Sequence, residues 1–143
     1  MNPMQAVKYE QEIPDVLESL LSVHTVMDSH GFDRTLHHLV QLRASQINRC
    51  SFCIKMHTKE ARDDGETNTR LDRLIVWDKV NDFSQRERAA LRWTEVLTTM
   101  DHSADLGKLR AELREHFSEK EIGILTGTIA MINLWNRVQI SRD

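Results

Sequence analysis

Ser118-Glu-Lys-Glu121-Ile-Gly-Ile-Leu-Thr-Gly-Thr-Ile-Ala-Met-Ile-Asn-Leu-Trp-Asn136 decides the fold class. Its first four residues form a capping box, in which a serine and a glutamate three positions on satisfy each other's free backbone donors. The box opens a helix that runs to about Ile140. The uncharged run from Ile122 to Asn136 is too short to span a membrane, which takes roughly 20 apolar residues. It reads instead as a buried core helix. Gly123 and Gly127 leave a small-residue stripe on it, so a neighbouring helix is expected to approach closely.

Working outward, Ser84-Gln-Arg-Glu87 is a second capping box. Its helix carries Ala89, Ala90, Trp93, Val96 and Leu97 at helical spacing. Val16, Leu17, Leu20 and Leu21 mark a helix from Pro14 that Gly31 ends. Leu36, Leu39, Val40 and Ile47 mark another from Asp33. A third covers about Ser51 to Asp64, with Gly65 suited to the left-handed turn after it. A short segment holds Leu71, Leu74, Ile75 and Trp77, and one more helix covers Ala104 to His116. No stretch alternates with period two. The expectation is an all-α bundle of six to seven helices.

Composition agrees. The chain has 143 residues, 40% of them hydrophobic and 29% charged, which suits one folded domain over the whole of 1–143. It has only 5 Gly and 2 Pro, too little punctuation for a many-turned β protein. A formal net charge of −3 gives no footprint for nucleic acid. The N-terminus shows no apolar signal segment, so the expected location is cytoplasmic with no membrane partner.

The chemistry lies in Cys50-Ser-Phe-Cys53-Ile-Lys-Met-His57. The two cysteines of the chain stand at C-x-x-C spacing, which in a reducing compartment suits a redox dithiol or half a metal site. His57 follows Cys53 by four residues and shares its helix face, where an imidazole accepts a thiol proton. Arg49 and Lys55 add positive potential. The histidine favours Cys53 as the attacking thiol and Cys50 as the resolving one, whereas a helix N-terminus would favour Cys50. A structural zinc site would lack a fourth ligand unless His24, His30, His37 or His38 supplied it, so no metal is assigned. A buried pair without chemistry and a redox sensor remain as alternatives.

The segment Leu42-Arg-Ala-Ser-Gln-Ile-Asn48-Arg-Cys50 through His57 to Arg62 resembles the core of the AhpD-like alkylhydroperoxidases, within the carboxymuconolactone decarboxylase superfamily. The resemblance continues through Glu87 to Thr98 and through Ile132-Asn-Leu-Trp135-Asn136-Arg137, with the core at about 33–100 and the long C-terminal helix at about 119–140. It implies an all-helical fold assembled into trimers or hexamers. It also implies hydroperoxide reduction by the dithiol and an external dithiol reductant, with no cofactor. Cys50, Cys53 and His57 match the family's catalytic residues. His38 stands where the best-studied members carry a glutamate, Phe52 where they carry a histidine, and Arg49 where glycine is common. His38 and Glu95 are the candidates to replace the missing carboxylate. Decarboxylating relatives generally lack the cysteine pair, which argues against that activity. Trp77, Trp93 and Trp135 are expected as core or subunit contacts. Asn133 and Asn136 are expected to bridge helices, and Ser45, Gln46 and Asn48 to pin the turn before Cys50.

Overall fold

In the computed structural model, which describes residues 2–142, every regular element among the described residues is helical. The order is α1 (Tyr9–Glu12), α2 (Pro14–Asp28), α3 (Arg34–Asn48), α4 (Ser51–Asp63), α5 (Asn68–Arg73), a 3-10 turn (Leu74–Lys79), α6 (Gln85–Thr99), α7 (Leu106–Arg114) and α8 (Glu119–Ile140). Each expected segment is present. The additions are the single turn α1 and a division of the short 71–77 segment, where Val76 leaves helical geometry at φ −121°. Both capping boxes close as the sequence implies, at Ser84/Glu87 and Ser118/Glu121.

Helix α3 is the axis of the bundle, packing against α4, α6 and α8. The reason lies in its sequence. Leu36 and Val40 point to one side and join Trp93, Phe117 and Ile129. Leu39 and Leu42 point to the other and join Leu74, Trp77 and Leu91. A helix apolar on two sides has to be surrounded, and each fully buried leucine contributes about 1.5–3 kcal/mol.

Helix α2 buries no residue completely, and Leu21 and Val26 on it are largely exposed. It lies against α8 where the small-residue stripe lets it approach: a Cβ on Gly127 would stand 3.1 Å from the Met27 sulfur. At Gly123 nothing lies within 4 Å, so that half of the stripe receives no neighbour. Among the described residues no helix is long and apolar enough to cross a membrane.

The α5–α6 corner is tied by one guanidinium. Arg70 donates to Glu87 at 2.5 Å, to Glu66 at 2.9 Å and to the Asp82 carbonyl at 2.8 Å. Glu87 also accepts the Ser84 backbone N–H of its capping box at 2.8 Å. Burial pushes the Glu87 carboxyl up, but the Arg70 hydrogen bond and the Ser84 cap outweigh it and hold it below its ordinary value. An Arg70→Met chain leaves two acids without their cation, and removing one partner of such a set costs about 3 kcal/mol. Urea unfolding at pH 7 should show that loss, whereas a midpoint within experimental error of the parent would refute it. Because Glu87 is depressed in the fold, its contribution is full above the ordinary carboxylate range. It fades as pH falls through the folded value, so the two chains should converge in stability in acid.

Candidate active site around the cysteine pair

The turn between α3 and α4 builds the site. α3 stops at Asn48 because Arg49 takes the left-handed conformation, φ 58°, which turns the chain back. The Cys50 N–H then donates to the Ser45 carbonyl at 3.0 Å, satisfying the end of α3. A non-glycine residue in that conformation costs about 1 kcal/mol, and side-chain bonds hold the turn in place. Asn48 donates to Asn133 and Asn136 of α8, both at 2.9 Å, and Asn136 donates to Ser45 at 3.0 Å. The expected bridging by these asparagines is thus a four-residue clamp between α3 and α8.

Cys50 is the N-cap of α4, and its sulfur accepts the Cys53 N–H at 3.4 Å. The two cysteines are joined as a disulfide with their Cα atoms 5.3 Å apart. Both are buried, at 2% and 1% exposure, so access to the sulfurs runs through cavities rather than across an open surface.

His57 lies one turn beyond Cys53 and is also buried. Its Nδ1 faces the Glu60 carboxylate at 3.3 Å. With the Nδ1 proton donated there, Nε2 keeps a free lone pair. Burial pushes the imidazole below its usual value of 6.5, Glu60 opposes that, and His38 and His24 push the same way as burial. The ring is therefore neutral at neutral pH and able to accept a proton.

Cys53 and His57 share a cavity of about 260 Å³. Its walls are mostly apolar, from Leu21, Phe52, Met56 and Trp135, with Gln41, Gln139 and His24 adding polar atoms. Trp135 donates its indole N–H to His24 Nε2 at 2.7 Å, which places the His24 proton on Nδ1. The sequence reading names His24 only as a candidate fourth zinc ligand and Gln41 not at all, and Trp135 lines this cavity rather than only packing. α2 and α8 bring His24 and Trp135 together across 111 positions of sequence, so no local spacing signals them.

His38 is buried on α3 and donates Nε2–H to Asp64 at 2.5 Å. The His38 hydrogen bond and then that of Arg34 hold Asp64 below the usual carboxylate value. The other nitrogen, His38 Nδ1, is buried without a hydrogen-bond partner. His38 is not a wall of the cysteine cavity, though it is close enough to influence His57. Beside it, burial pushes His37 down to about 4. Glu95 is placed elsewhere: it accepts from Trp77 at 2.7 Å and from Arg43 at 2.9 Å, and it does not line the cavity. Among the described residues no group of three or more His, Cys, Asp or Glu is arranged to hold a metal ion.

The model of the carboxymuconolactone decarboxylase family matches residues 14–96. The uncharacterised protein YdfG of Bacillus subtilis (strain 168) is 34% identical over 137 residues, which is 96% of this chain and 93% of YdfG. A crystal structure from Agrobacterium tumefaciens superposes with a TM-score of 0.90 at 32% identity, covering 96% of this chain and 94% of the other. It is described as a protein of unknown function and a candidate antioxidant defence protein AhpD. The ligand-free debrominase Bmp8 shares the fold at a TM-score of 0.82 and 18% identity, over 93% of this chain and 72% of its own.

Proposed function

The chain belongs to the carboxymuconolactone decarboxylase family, and on that footing we propose that it is a thiol-dependent peroxidase of the AhpD kind. It reduces hydroperoxides through a Cys50/Cys53 dithiol–disulfide cycle assisted by His57. One observation carries the reading: a joined cysteine pair has one member opening, beside a neutral buried imidazole, onto a largely apolar cavity. The antioxidant role suggested for the Agrobacterium relative supports it.

In this reading His57 takes the Cys53 proton and the thiolate attacks the outer oxygen of the hydroperoxide. The O–O bond breaks, the alcohol leaves with a proton from His57, and Cys53 becomes a sulfenic acid. The Cys50 thiol displaces that hydroxyl, so water leaves and the disulfide forms. The sum is one hydroperoxide and two thiols giving one alcohol, one water and one disulfide. An external dithiol returns the two electrons. His38 takes no direct part in these steps: it donates Nε2–H to Asp64 and does not border the cavity. Glu95 takes no part, being engaged by Arg43 and Trp77. The largely exposed apolar residues of α2 support assembly with further copies of the chain.

Reduced protein mixed with cumene hydroperoxide should lose two thiols for each peroxide consumed, and should cycle when dithiothreitol is supplied. Thiols that persist alongside the peroxide would reject the mechanism. Loss of thiols without cycling would favour the sensor reading over the enzyme.

A further inference from the structure

The two cysteines do not border the same space. Cys53 borders the cavity shared with His57, while Cys50 borders a second, smaller cleft of about 170 Å³. Arg49 and Ser51 form one side of that cleft and Gln139 and Ile140 the other. Phe52 and Gln139 border both spaces and so divide them. The divided cavities differ in charge. The Cys53 cavity is lined by apolar side chains, imidazole rings and two amides, whereas the Cys50 cleft is lined by Arg49, a residue with a permanent positive charge. Arg49 is exposed, and among the described residues no carboxylate lies within ion-pairing distance of it. Its left-handed backbone makes it an integral part of the turn that presents Cys50.

Thiol–disulfide exchange is directional. A thiolate that attacks one sulfur expels the other, along the line of the bond. Attack at Cys50 releases Cys53 as the thiolate next to His57, the form that meets the next peroxide. Attack at Cys53 would require the reductant to occupy the peroxide's own cavity.

Resting on the peroxidase reading, we infer that the Cys50 cleft is the reductant entrance and that Arg49 selects a small dithiol bearing an anionic group near its sulfurs. The reductant's first thiolate bonds to Cys50 Sγ and the Cys50–Cys53 bond breaks, leaving Cys53 as a thiolate. The reductant's second thiolate then attacks its own sulfur in the mixed disulfide and frees Cys50. Two electrons pass to the protein, the reductant leaves as a cyclic disulfide, and its two thiol protons end on Cys50 and Cys53. A cleft of about 170 Å³ has room for the dithiol end of a small molecule.

The test uses two 1,4-dithiols that both close to six-membered cyclic disulfides and differ in charge, 2,5-dimercaptoadipate, with a carboxylate beside each sulfur, and neutral dithiothreitol. Each reduces the oxidised protein in a stopped-flow experiment at low salt, and the dicarboxylate-to-neutral rate ratio is taken within each chain. That ratio removes intrinsic differences between the reagents. It should be about tenfold higher in the parent than in Arg49→Gln, the low end of what electrostatic attraction gives. Arg49→Lys should keep it, and high salt should abolish it. Arg49→Gly, which suits the left-handed turn, repeats the measurement should the glutamine chain fold poorly. Equal ratios in parent, Gln and Gly chains overturn the cleft assignment. The peroxidase reading is scored separately by thiol loss with cumene hydroperoxide. If that loss fails while the charge ratio holds, the reading falls and the entrance stands.

Discussion

Cys53→Ser protein consumes no hydroperoxide, neither in steady state nor in the first turnover. The expected loss is at least about 10⁴-fold, as for other enzymes deprived of their nucleophile. The reason is ionisation: a serine hydroxyl near His57 keeps its proton where a thiol gives it up. Cys50→Ser behaves differently. Its Cys53 still faces the cavity with His57, so it reacts once per chain and stops as the sulfenic acid. Mass spectrometry after dimedone trapping reads the difference, with an adduct on Cys53 in the Cys50→Ser chain and none in the Cys53→Ser chain. The opposite pattern would assign the attacking role to Cys50, whose sulfur sits at the helix N-cap and accepts the Cys53 N–H. The shared cavity is what supports Cys53 in the proposed mechanism. A peroxide has to reach the attacking sulfur and a base together, and only Cys53 shares its space with His57.

Much of this was legible in the sequence because the information is local. The capping boxes at Ser84 and Ser118 each lie within four residues, and the helices they open are where the spacing puts them. Cys50, Cys53 and His57 occupy one cap and one helix, so i, i+3 and i+4 relations suffice to group them. Tertiary placement is another matter. His24 reaches the site only because α2 lies along α8, an approach that Gly127 permits and Gly123 does not use. Glu95 sits on a segment that matches the family, yet Arg43 of α3 and Trp77 of the 3-10 turn claim its carboxylate. His38 depends on Asp64, a residue just past α4 with no periodic signature. The single turn α1 is too short for hydrophobic periodicity to register.

His57→Asn removes the base while keeping a polar side chain in the cavity, and kcat/KM for a hydroperoxide should fall about 10³-fold near pH 6.5, within the usual span for a general base. The deficit is itself pH-dependent, which separates a chemical role from a packing one. In the parent, burial lowers His57, so the neutral ring is already available in mildly acidic solution and activity is level through neutrality. The asparagine chain has no such base and relies on a thiol ionising by itself, ordinarily near pH 8.5. Its activity should therefore climb with pH, and the gap to the parent should narrow toward pH 9. Glu60→Gln supplies the complementary shift. Among the groups that act on His57, the Glu60 carboxylate raises it while His38 and His24 lower it. Losing Glu60 lets the imidazole fall further, so the acid limb of the profile should move to lower pH. A limb that moves upward, or an asparagine chain whose deficit is the same at every pH, would mean that the ring fills space and moves no proton.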